Sequence, residues 1–128
     1  MKRRKIMRES IKVLQECAEI QDKKSRDYQN PNSRIRQADY YPRGILSIME
    51  LINTKTIRLW SVLEAMENDP SYAPNFESIE DSLKDLINYS SFAVAYSRGK
   101  IDGQDPDRDF LNRKKPSTVK EIRDAEGQ

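Results

Sequence analysis

Residues 77 to 96, ESIEDSLKDLINYSSFAVAY, distribute polar and apolar positions in a way that predicts a helix with two different faces. At about 100° per residue, Asp81, Asp85 and Asn88 fall within roughly 60° of one another, and Ile79, Leu83, Leu86, Ile87 and Val94 occupy the opposite side. The acidic stripe continues into Phe92, Ala95 and Tyr96, so the face that carries the acids turns apolar within two turns. That face is expected to be turned away from water. Upstream, a first helix is predicted over about residues 6–27, where Ile11, Leu14, Cys17, Ala18 and Gln21 recur at the spacing of an amphipathic helix. A second is predicted over 45–68, ILSIMELINTKTIRLWSVLEAMEN, with Ile45, Ile48, Ile52, Leu59, Leu63 and Met66 on one face and no proline or glycine inside. Leu46, Ile57 and Trp60 lie on its other side, so this helix is apolar nearly all round. Such a helix sits centrally in a bundle or is shared across a dimer interface.

Breakers divide these blocks. Pro31 and its flanking asparagines open a loop, QNPNSRIRQADYYPRG, that closes at Pro42 and Gly44, and NDPSYAPNF forms a turn-rich connection between antiparallel helices. The third helix is expected to start near Asn75 or Ser78, either of which can cap it, and to end at Arg98 with Gly99 just beyond. Residues 101–128 change to a charge-rich composition that reads as a tail. Thr118 and Glu121 have capping-box spacing there, which predicts a short helix over about 118–125. The expected fold is therefore all-α: a bundle of three long helices (1–100), then a charged tail with a short C-terminal helix, the whole expected to be oligomeric.

Composition narrows the chemistry. A chain of 128 residues suits one domain, and its single cysteine, Cys17, excludes an internal disulfide and suits a reducing compartment. Histidine is absent, which removes Ser/His/Asp and Cys/His relays and every histidine metal site. Chemistry would have to come from carboxylates, lysine, tyrosine or a metal held by oxygen. The net charge of +2 is small, although MKRRKIMR gathers five basic residues at the start. Nucleic acid is not the expected partner, no membrane span is expected, and the expected location is the cytoplasm.

Two aspartates at i and i+4 suit a hard cation such as Mg2+ completed by substrate phosphates, and equally suit a solvated face. Lys24 lies close to the apolar stripe of the first helix, as Tyr28 would if that helix reached it, while Glu16, Lys23 and Asp27 line its polar edge. On the second helix Lys55 and Arg58 flank the core face and could meet a phosphate or the acids of the third helix; a salt-bridge network that only joins helices is the alternative. Glu50 projects nearly opposite the main apolar face. The loop residues Arg34, Arg36, Tyr40, Tyr41 and Arg43 could close over a ligand, with a plain surface loop as the default.

DKKSRDY at 22–28 resembles the K-x2-DY signature of the phage and bacterial nucleotide modification associated domain family. NTKTIRL resembles that family's K-x2-R helix and EDSLKDLINY its D-x3-D-x2-NY helix, in the same order along residues 9–98. That family is in turn similar to the MazG-like all-α nucleotide pyrophosphohydrolases, which use acidic helices and magnesium to split a nucleoside triphosphate into monophosphate and pyrophosphate. The resemblance implies a homodimer or larger homo-oligomer that binds a nucleotide and Mg2+. Asp81, Asp85 and Glu50 would be catalytic and, with Glu16, would hold the metal. Lys24, Asp27, Tyr28, Lys55, Arg58, Asn88 and Tyr89 would contact the nucleotide. The MazG EExxE and ExxD pair is not intact, and DYG reads DYQ, so the resemblance carries binding further than hydrolysis. The alternative is a phage protein that sequesters a nucleotide or binds a host protein without catalysis.

Overall fold

A computed structural model of the chain describes residues 6–28, 30–74, 78–109 and 111; over these it is all-helical, with three long helices and no strand. They are α1 (Glu9–Tyr28), α2 (Ile45–Asn68) and α3 (Ile79–Ser97), with single 3-10 turns at Gln37–Tyr40 and Pro106–Arg108. The possible helix over 118–125 and the first five residues lie outside the described stretch. Among the described residues no helix is long and apolar enough to cross a membrane.

Local chemistry explains the helix ends. Helix α1 begins at Glu9, three residues later than its periodicity predicts, and does extend to Tyr28. Helix α2 has the predicted bounds, entered from Gly44 at φ 62° and closed where the Asp69 N–H reaches the Ala65 carbonyl. Ser78 is the cap of α3: its hydroxyl accepts from the Asp81 N–H at 3.0 Å. At the other end Gly99, at φ 69°, lets the chain turn back so that Gly99 N–H reaches Tyr96 C=O at 2.9 Å and Lys100 N–H reaches Ala95 C=O at 3.0 Å.

Helix α3 packs against both α1 and α2. The central cluster joins Ile48 of α2, Tyr96 of α3, Ala38 and Tyr41 of the long loop, and Ile101 beyond α3, with Ile52 and Phe92 packed around it. On α3 the face that carries the acids is turned inward, as its pattern predicts, and the far apolar side is left partly open. The buried positions of α3 are Ser82, Asn88 and Tyr96, on the side that carries Asp85, while Leu83 and Val94 of the opposite side are 45% and 48% exposed. The cause is the company each face keeps: polar groups from α1 and α2 pair with Asp85 and Asn88, so this face can be buried without orphaned charge. Helix α1 is likewise less enclosed than its stripe suggests, for Cys17 is buried but Ile11 and Leu14 are about half exposed.

The start of the expected tail is part of the bundle. Ile101 and Asp109 are buried, and Gln104 ties the segment together by accepting from Ile101 N–H at 3.1 Å and donating to the Tyr96 carbonyl at 2.9 Å and to the Asp109 carboxylate. The Asp102 carbonyl accepts from Ala38 N–H at 2.9 Å, so this hook holds the long loop. Gly103 sits at φ 79° directly against Arg36, where a Cβ would collide with that side chain.

Candidate functional site

A cavity of about 520 Å³ opens between α1, α3 and the long loop, within the size range of small-ligand sites. Its aromatic wall combines Tyr28 of α1, Tyr40 and Tyr41 of the loop, and Tyr89 and Phe92 of α3. Tyr41 is the most enclosed of these tyrosines, and burial pushes its phenol above the ordinary value, so it stays neutral through the physiological range. Tyr28 is 59% exposed and Tyr40 50%, leaving two rings at the solvent side. The loop that carries Tyr40 and Tyr41 is shaped by Asp39, whose carboxylate accepts from Arg36 N–H at 2.8 Å and starts the 3-10 turn.

The charged part of the lining is Lys24, Asp22 and Asp85. Asp85 receives a lysine on each oxygen: Lys24 Nζ lies 3.8 Å from Oδ1 and Lys55 Nζ lies 3.2 Å from Oδ2. The two ion pairs differ. Lys55 is buried, with its side chain 11% exposed, and makes the closer contact; the Lys24 side chain is 60% exposed and its contact is long, so it can turn to another anion at little cost. One carboxylate thus links all three helices.

Above Asp85 on the same stripe, Asn88 is 6% exposed and lines the cavity. Its side-chain carbonyl accepts from Gln21 Nε2 at 2.7 Å, and the same Gln21 amide donates to Ser91 Oγ at 2.8 Å. Gln21 had stood in the sequence as one member of an apolar stripe; an amide at a core-facing position needs a partner, and that was the available signal. Ser25, Gln37 and Leu51 also line the cavity and carried no such signal.

Of the residues singled out in the sequence, Lys24, Tyr28, Asp85, Asn88 and Tyr89 line the cavity, and Lys55 stands behind Asp85. Asp27, Arg58 and Asp81 are exposed and lie outside it. Glu50 is on the outer side of α2, bonded to Arg43. Glu16 is engaged by Lys84 Nζ at 3.0 Å; Lys84 also meets Glu80 at 3.4 Å, and its ammonium is held above the ordinary pKa chiefly by the Glu16 hydrogen bond. The acids expected to share a metal are therefore dispersed over separate cation partners and exposed positions. Among the described residues no three acidic or thiol side chains gather as a metal-holding set.

The arrangement can enclose a planar ring among aromatic side chains, offer amide groups to its edge, and present Lys24 to an anion beside it. Set against protein-family models, curated proteins and solved structures, the chain matches none of them.

Proposed function

We propose that this protein binds a nucleotide in the cavity between α1, α3 and the long loop, with Lys24 meeting the phosphate and the tyrosines enclosing the base. The observation that carries this reading is the pairing of an aromatic-lined cavity with a lysine held at its edge by one half-buried carboxylate. Lys24 has a weak present partner and an exposed head, so a phosphate can take it over while Lys55 keeps Asp85 in place. Asp85 acts here as a positioning residue: it balances two lysines until the ligand arrives. The dispersal of Glu16, Glu50 and Asp81 favours capture of the nucleotide over its hydrolysis.

Calorimetry with nucleoside mono-, di- and triphosphates, with and without Mg2+, tests this directly. Lys24→Met is expected to weaken binding by about tenfold or more, the loss of one charge-assisted hydrogen bond. Absence of binding by every nucleotide would remove the proposal. Chromatography of the same mixtures separates the two activities: intact nucleotide marks a sequestering protein, whereas monophosphate and pyrophosphate formed only with Mg2+, and lost in Asp85→Asn, mark a pyrophosphohydrolase.

The protein is further proposed to act as a homodimer. Leu46, Met49, Ile57 and Trp60 occupy one side of α2, within about 80° of each other, and Trp60 is 69% exposed. A stripe of this kind on a soluble helix calls for cover, and a net charge of +2 puts little repulsion between two copies.

A further inference from the structure

Resting on the nucleotide reading, we infer that Gln21 and Asn88 form the edge that recognises the nucleobase, and that base recognition therefore dominates over the phosphate in this site. The orientation of both amides follows from a closed set of hydrogen bonds. The Ser91 hydroxyl donates to the Asn88 backbone carbonyl at 2.7 Å, so toward Gln21 its oxygen can only accept. The Gln21 NH2 group must then face Ser91, and its second hydrogen reaches Asn88 Oδ1. Two groups remain uncommitted among the described residues: the acceptor Gln21 Oε1 and the donor Asn88 Nδ2. Both residues line the cavity, and Asn88 is 94% buried by virtue of its 6% exposure, so its open donor has the cavity as its outlet.

An acceptor beside a donor is complementary to any base edge that presents N–H next to a ring nitrogen or carbonyl. Tyr28, Tyr40 and Tyr89 supply faces on which such a ring can stack. A phosphate has no use for the pair, since Oε1 would repel it, and Lys24 alone serves that end. The geometry thus assigns the two ends of the ligand to different chemistry: amide edge and aromatic faces for the base, lysine for the anion.

The test is a binding series with the four common nucleoside 5′-monophosphates against ribose 5-phosphate and pyrophosphate, and a dinucleotide to distinguish a free nucleotide from a strand end. Base-bearing ligands are expected to bind at least tenfold tighter than ribose 5-phosphate. Gln21→Glu replaces the donor that Asn88 Oδ1 and Ser91 Oγ require, so Asn88 must flip its amide toward the new carboxylate and expose Oδ1 instead. The edge then carries acceptors only, and the ranking is expected to move toward guanine, whose N1–H and N2–H groups are adjacent donors. Asn88→Asp, read beside it, presents the same acceptors without a flip and is expected to give the same ranking; circular dichroism establishes that each variant retains its helices. Equal affinity for base-bearing and base-free phosphates, or an unchanged base ranking in both variants, overturns the inference while leaving phosphate binding intact. Failure of every ligand to bind overturns the nucleotide reading itself.

Discussion

Lys84 shows how a single side chain joins helices without taking part in the cavity. It reaches Glu16 on α1 and Glu80 one turn back on α3, and the Glu16 hydrogen bond is the main reason its ammonium holds its proton more tightly than usual. A pKa raised in the fold contributes stability that is fully present below the unfolded value near 10.5 and is lost as the pH climbs through the folded value. Urea unfolding of the parent and of Lys84→Met between pH 8 and roughly pH 12 is therefore expected to give curves that converge at the alkaline end. Curves that stay parallel would remove Lys84 as a pH-dependent link. At this scale the sequence was partly legible. Ser78, Gly44 and Gly99 mark helix ends through backbone needs that are local, whereas Glu16 as a partner of Lys84, and Asn88 and Ser91 as the partners of Gln21, lie more than sixty positions away, beyond the reach of spacing.

Among the elements, α2 was the most readable, because an uninterrupted apolar pattern between Gly44 and Asp69 leaves no competing bounds. The two faces of α3 were distinguishable by period, and the run of the acidic stripe into Phe92 and Tyr96 marked which of them turns inward. What the pattern did not show is that Leu83 and Val94 on the far side stay about half exposed, while Lys55 and Gln21 from neighbouring helices pair with Asp85 and Asn88 on the buried one. The segment after α3 misled for a related reason: its charges suggest a solvated tail, but Ile101 and Gln104 anchor it through one apolar contact and a set of backbone hydrogen bonds. Gly103 is where this anchor has least tolerance. Gly103→Ala combines a strained positive φ with a collision at Arg36 and is expected to cost about 1–3 kcal/mol, read as a thermal midpoint lower by roughly 5 °C or more. A midpoint within one degree of the parent would mean that the hook does not hold the fold.

For the molecule as a whole, the fully enclosed core among the described residues is small: Cys17, Ile48 and Tyr96 are its largest fully buried side chains. The second apolar side of α2, with Leu46, Ile57 and Trp60, lies open in the single chain. The all-round apolar pattern of α2 was legible as a sign of a central or shared helix; which of these applies depends on a neighbour that no single chain displays. If a second copy covers this side, light scattering after size exclusion will give a dimer for the parent and a monomer for the double variant Ile57→Glu, Trp60→Glu, with nucleotide binding to be read on both. A parent that is monomeric across the concentration range would set the dimer aside.

The hydrogen bond from Ala38 to Asp102 gives the segment after α3 an influence beyond its own stability. Tyr40 and Tyr41 stand on a loop whose far support is that segment, so the shape of the aromatic wall is set in part by residues that touch no ligand. Shortening the chain at Gly99, where the helix visibly ends, would delete none of the cavity-lining residues and still take away the strut that keeps two of its rings in position.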